Sequence, residues 1–274
     1  MPLPLEDNFE DILRKAQAGL HLSEESLAQK AGVVPEVLRA CLEGRADEAA
    51  LSRLAPILGL HGPSLIEVAR KTWRPADVSL EGLAQITTPL RNGITVNAYL
   101  VWDRTSRRAI LFDTGTKPEP ILELIRKHQL QVELLLLTHT HPDHVACLDL
   151  LRQALGGFRA CVCVREPYPG VETIDAGAAF DIGPLRVQTR ATHGHSPGGL
   201  TYVVSGLAHP VAVVGDALFA GSMGRSLEHW ATALKNNREQ IFTLLDDTIL
   251  CPGHGPMTTV AQEKMHNPFY PEIK

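Results

Sequence analysis

From Leu134 to Ala146 the chain reads LLLLTHTHPDHVA, which places His139, His141, Asp143 and His144 within six residues. Three imidazoles and a carboxylate on one turn gain little from packing and repel one another when protonated, whereas a divalent cation repays their desolvation. The spacing therefore points to metal binding. Leu134 to Thr138 is an apolar, strand-like run and Pro142 suits the first turn of a helix, so the cluster belongs on a strand-to-helix loop.

One turn cannot encircle two ions, and imidazole and carboxylate donors suit Zn, Fe or Mn, so further ligands are expected on later loops. Three candidates stand out. His195 lies in ATHGHSPGGLTYVV, between the strand-like runs Leu185 to Ala191 and Leu200 to Ser205. Asp216 follows the apolar run Pro210 to Gly215, and His254 lies in CPGHG after Thr248 to Cys251. Each follows a strand and sits beside glycine or proline, as expected of loops that converge on one edge of a sheet in an α/β protein.

Together THTHPDH, HSPGG, VVGDALF and CPGHG resemble the metallo-β-lactamase superfamily, and more closely its glyoxalase II-like hydrolases, over about residues 84 to 274. The strand Val96 to Val101, the FDTG turn (Phe112 to Gly115) and the ending PGHGPMTTVAQEKMHNPF fit the same pattern. The resemblance implies an αββα sandwich, two sheets face to face with helices outside. It also implies two divalent metal ions, Zn first, with Fe or Mn as alternatives. His139, His141 and His195 would hold one; Asp143, His144 and His254 would hold the other; Asp216 would bridge them. An aspartate at 216, where the antibiotic-opening lactamases of the superfamily commonly carry cysteine, argues against a β-lactamase.

Two cations sharing a water lower its pKa from ~15.7 toward 7. The activity implied is hydrolysis of a small-molecule thioester or related acyl ester by a metal-bridging hydroxide, with Asp143 as the catalytic residue that orients the nucleophile. A rival within the superfamily is the persulfide dioxygenase, with one iron on His139, His195 and Asp216. It ranks second because GDALFAGSMGRS (Gly215 to Ser226) matches that pattern only in part: the dioxygenases carry a cysteine near Met223 and an Asp-Phe pair after the arginine. Arg225 is a candidate for a substrate carboxylate and equally readable as a surface arginine. His193 is an outer-site candidate or a solvent-facing loop residue, and His128, His209, His229 and His266 match no motif.

Residues 1–72 read differently. Leu13, Ala16, Leu20, Leu27, Ala31, Leu38, Leu42, Leu51, Leu54 and Leu58 recur at helical spacing between glycines, which predicts an all-α unit of four or five short helices. Ser26 to Arg45 resembles a helix-turn-helix of the lambda-repressor type. DNA binding is not favoured: the second helix offers only Arg39, with Glu36 and Glu43 against phosphate, and residues 1–72 carry eight basic and eleven acidic side chains. A homodimer contact or a cover over the active-site mouth is the preferred use, and a DNA-binding regulator with a metal-binding sensor domain is the third reading. KTWRPADVSLEG, with Pro75 and Gly82, supplies a linker at residues 73–83 before the catalytic domain at 84–274.

The formal charge of −5 offers no general attraction to nucleic acid. No apolar run reaches ~18 residues and MPLPLEDNFED lacks a basic, then apolar, leader, so the expectation is a cytoplasmic protein with no membrane partner. Cys41, Cys147, Cys161, Cys163 and Cys251 are read as small buried residues rather than a disulfide framework.

Overall fold

Five helices open the chain: α1 (Phe9–Gly19), α2 (Glu24–Ala31), α3 (Pro35–Leu42), α4 (Glu48–Ile57) and α5 (Gly62–Arg70). The computed structural model describes residues 3–90 and 93–273. The helix starts are set by side-chain caps: Ser23 Oγ accepts from Ser26 N at 3.1 Å and Asp47 Oδ1 from Ala50 N at 2.9 Å. Gly32, at φ +60°, closes α2 and turns the chain into α3, whose Pro35 supplies the preset first turn.

Twelve strands among the described residues form two sheets. The first holds β1 (Leu83–Pro89), β2 (Thr95–Trp102), β3 (Arg108–Phe112), β4 (Gln131–Leu136), β5 (Arg159–Cys163) and β6 (Glu172–Ile174) in chain order, antiparallel up to β3 and parallel beyond it. The second is built from β7 (Ala179–Ile182), β8 (Leu185–Ala191), β9 (Leu200–Ser205), β10 (Val211–Gly215), β11 (Ile249–Pro252) and β12 (Thr258–Thr259), side by side from β12 to β7. Because β9 is antiparallel to both β8 and β10, and β11 is parallel to β10, the strands β8, β10 and β11 all end at the same edge.

Strand alternation divides the apolar side chains among three layers. Tyr99, Phe112, Leu136 and Cys161 of the first sheet meet Val187, Tyr202, Val213 and Cys251 of the second in the central core. The opposite face of the first sheet, including Leu100, Leu111 and Leu135, is covered by α6 (Glu119–His128) and α8 (Leu148–Leu155) through Ile121, Ile125, Leu148 and Leu151. The opposite face of the second sheet meets the N-terminal helices. Ala212, Val214 and Leu250 join Leu13, Leu27, Leu54, Leu65, Trp230 and Tyr270 in one continuous core. Fully burying a Leu-sized side chain contributes about 1.5–3 kcal/mol, so apolar packing, more than polar ties such as His266 Nδ1–Glu67 Oε2 at 2.8 Å, holds the helical part on the sandwich.

The helix that Pro142 opens is broken in two, α7 (Pro142–Val145) and α8, separated at Ala146–Cys147. Thr114 is the reason. Its backbone N–H donates to the His144 carbonyl at 2.9 Å and its Oγ1 accepts from Cys147 N at 3.1 Å, diverting groups a continuous helix would use. The strands β6, β7 and β12 are short, the helix α10 (Val260–His266) follows β12, and α9 (Trp230–Asn236) continues into a π turn at Asn237–Ile241. All five cysteines are free and buried.

Candidate metal centre

The seven ligand candidates meet where β4, β8, β10 and β11 end. His139 and His141 follow β4, Asp143 and His144 lie in α7, and His195 is in the β8–β9 loop. Asp216 directly follows β10 and His254 follows β11. They form two groups, His139, His141, His195 and Asp216 in one and Asp143, His144 and His254 in the other; within each, one nitrogen or oxygen per residue lies within 4.8 Å of the others. Asp216 faces both: Oδ2 is 3.3 Å from His195 Nε2 and 3.4 Å from His254 Nε2, and Oδ1 is 3.4 Å from His144 Nε2. Asp143 Oδ2 lies 3.5 Å from His254 Nε2.

Each imidazole except His141 is held from behind through its other nitrogen. His139 Nδ1 pairs with Thr138 Oγ1 at 3.0 Å and His144 Nδ1 with Asp113 Oδ2 at 2.8 Å. His195 Nδ1 donates to the Arg225 carbonyl at 2.9 Å and His254 Nδ1 to the Thr95 carbonyl at 2.6 Å. These bonds direct four Nε2 atoms inward. His141 differs, presenting Nδ1 at 3.0 Å from His195 Nε2.

Backbone closeness explains two glycines. A Cβ on Gly253 would lie 2.1 Å from Asp216 Oδ1, and one on Gly224 would lie 1.9 Å from the Asp216 carbonyl. Any larger residue at either position would displace the shared carboxylate. Asn97 of β2 steadies the same loop, its Nδ2 donating to the carbonyls of Pro252 and Gly255.

Burial sets the charges. It pushes His139 well below the usual imidazole range, with His144 acting in the same direction, and it lowers His195 against the pull of Asp216. For His144 burial opposes the charged form, but Asp113 and Asp216 outweigh it and lift the group well above its ordinary range. His254 behaves likewise, raised to about 9 as Asp216 prevails over burial. Asp216 stays well below the carboxylate range because His254 and His144 outweigh its desolvation.

The donor set fits divalent cations. His139 Nε2, His144 Nε2 and Asp216 Oδ1 are buried with no hydrogen-bond partner, and an unpartnered buried polar group ordinarily costs about 1–3 kcal/mol. Three such atoms converging with four further nitrogen and oxygen donors are what two cation sites require.

Two supporting residues lay outside the sequence motifs' ligand sets. Asp113, at φ +55° in the FDTG turn, bonds His144 and accepts from Thr138 N at 2.7 Å and Thr138 Oγ1 at 2.8 Å. Glu166 ties two ligand loops together: Oε1 accepts from Thr140 N and Oγ1, and Oε2 accepts from Gly198 N at 2.9 Å. The FDTG turn was the signal for Asp113; a single glutamate after β5 carries none. Arg225 contributes its carbonyl to His195, while its exposed guanidinium has no ion pair or hydrogen bond among the described residues. His193 lies apart from the ligand groups, its Nε2 3.4 Å from Arg165 Nη1.

A two-sheet sandwich flanked by helices, with paired His/Asp groups at the strand ends, defines a metal-binding fold of the metallohydrolase kind. The family model described as the metallo-beta-lactamase superfamily matches residues 91–157 and 162–254, and the chain belongs to that superfamily. Human persulfide dioxygenase ETHE1, mitochondrial, is 34% identical over 178 residues, covering 62% of this chain and 69% of that protein. Hydroxyacylglutathione hydrolase GloC of Haemophilus influenzae is 30% identical over 197 residues, covering 63% and 92% respectively. The crystal structure of TTHA1623 in a di-iron-bound form matches with TM-score 0.54 and 28% identity, over 68% of this chain and 99% of that one. The helices α1 to α5 precede the family match. Among the described residues no helix is long and apolar enough to cross a membrane.

Proposed function

We propose that the chain is a metal-dependent hydrolase that cleaves a thioester or related acyl ester in the manner of glyoxalase II. The observation that carries this reading is the single carboxylate of Asp216 set between two groups of further ligands, the layout of a binuclear centre. His139, His141 and His195 would hold one cation and Asp143, His144 and His254 the other. Bound there, two divalent cations supply a hydroxide near neutral pH and polarise an acyl carbonyl.

The chain's own residues supply the rest. Asp143 is partly exposed and lies beside His254, its Oδ2 3.5 Å from Nε2, so it can accept from the attacking water and fix its orientation. Thr138, Asp113, Arg225 and Thr95 keep the imidazoles turned inward, so the reacting groups meet without rearrangement. No cysteine competes as nucleophile: burial pushes the Cys161 thiol up to about 11 and Cys251 higher still. Arg225 would receive a substrate carboxylate.

A second reading, a mononuclear-iron persulfide dioxygenase with His139, His195 and Asp216 as ligands, draws support from the 34% identity to the human enzyme. Elemental analysis of the purified chain, with hydrolysis of S-lactoylglutathione and oxygen uptake on glutathione persulfide, separates the two. The hydrolase reading expects about two ions per chain and thioester turnover. About one iron per chain with oxygen uptake would replace it by the second.

A further inference from the structure

The helical part does more than cover the second sheet. A cleft of about 560 Å³ lies between α1 and the segment that follows the shared aspartate, lined by Asp7, Asp11, Arg14, Lys15, Ala18 and Arg225 among others. It adjoins the metal centre twice. Arg225 accepts from the ligand His195 through its carbonyl. Lys15 lies over the Phe219 ring at 4.9 Å, and that ring stands edge-on to His254 at 5.6 Å.

The charges on the wall are not equally committed. Asp7 is bonded to Lys15 and to Ser222 Oγ, and Asp11 Oδ2 accepts from Asn8 N at 3.0 Å. Lys15 is also occupied, donating to Asp7 and to the Met223 carbonyl at 2.7 Å. Arg14 and Arg225 remain. Arg14 gives Nε and Nη2 to the uncharged Leu42 carbonyl, and neither guanidinium has a carboxylate partner among the described residues. With Asp7 paired to Lys15, Asp11 stands on the wall with two exposed guanidiniums that have no ion-pair partner, so the cleft keeps a net positive charge, and the planar forks suit carboxylate or phosphate oxygens.

We propose that Arg14 of α1, together with Arg225, forms an anion subsite that takes a carboxylate or phosphate arm of the substrate, making the helical part a specificity element of the active site. This rests on the hydrolase reading for its assay, though not for its geometry. The residues of α1 fall outside the superfamily match, so this wall is a feature of this chain rather than of the matched domain.

The test compares esters that differ in charge. Acetyl 3-mercaptopropionate thioester and succinyl N-acetylcysteamine thioester are each assayed against their methyl esters, beside acetyl 2-mercaptoethyl phosphate thioester. The anionic forms should be preferred by about tenfold or more in kcat/KM, the size of a charge-assisted hydrogen bond, and the ranking of carboxylate against phosphate identifies the anion. Arg14→Gln should cut the preference severalfold. Ala18→Glu, one turn after Arg14 on α1, sets a carboxylate against the guanidinium while keeping Arg14 in the chain, and should do the same, so a misfolded Arg14 variant does not end the test. Arg186→Gln, at the exposed pair with Asp181, should keep the parent ratio. Equal rates for charged and neutral esters overturn the subsite and leave the hydrolase reading standing. If no ester is turned over, calorimetric binding of 3-(methylthio)propionate to the full chain decides: binding weakened by Ala18→Glu supports the subsite, and binding unaffected by it removes the subsite.

Discussion

Behind His139 and His195 stand a threonine hydroxyl and a backbone carbonyl; behind His144 stands the carboxylate of Asp113, itself held by Thr138. The two ligand groups are therefore alike in donor atoms and unlike in charge. Burial lowers His139 and His195 in the first group, whereas in the second the carboxylates outweigh burial and raise His144 and His254. An anionic partner behind an imidazole raises its basicity toward a metal, so the second group should grip its ion more firmly once the protons leave. His141 and His195 of the first group are partly exposed.

Removing what the groups have in common should have the largest effect. Asp216→Ala is expected to lose both ions and to lower hydrolysis by about a thousandfold or more, measured by elemental analysis and thioester turnover. Asp113→Asn should act on one side only, weakening the affinity of the second group by about 10–100-fold in a metal titration while the first group still fills. An equal loss from both sites would erase the distinction between them. Glu166→Gln should act on the other side, where it loosens the Thr140 and Gly198 loops, and should lower kcat by roughly 3–10-fold with metal content kept.

Acidity sharpens the same contrast. In the metal-free chain His254 holds its proton up to about 9, above the ordinary 6.5, and an imidazolium cannot ligate. Binding must then release protons, and affinity should climb as pH rises toward about 9. Calorimetry in two buffers of different ionisation enthalpy near about pH 7.5 reads this release directly; buffer-independent heats would speak against protonated ligands. The smallest effect is expected at Arg39→Ala, which is exposed on α3 and away from the centre, and should leave hydrolysis unchanged.

Much of the site was legible because the ligand candidates follow apolar strands, with four clustered at 139–144 and His195, Asp216 and His254 each next to a glycine, a local pattern that survives without knowledge of the fold. The FDTG turn marked Asp113 without its role and nothing marked Glu166, since a hydrogen bond across 31 or 26 residues leaves no periodic trace. β6, β7 and β12 are two to four residues long, too short for alternation to register. The break between α7 and α8 depends on Thr114, a residue distant in sequence, and no breaker at Ala146 or Cys147 announces it. Helical periodicity marked the faces of α1 to α5 but could not say that Ala212, Val214 and Leu250 of the second sheet would complete their core.

The most direct measurement is the metal content of the purified chain set beside that of Asp216→Ala. A pair of ions held in common by that carboxylate predicts about two per chain in the parent and none retained in the variant. A parent chain that binds no ion, or a variant that keeps its full complement, would contradict it.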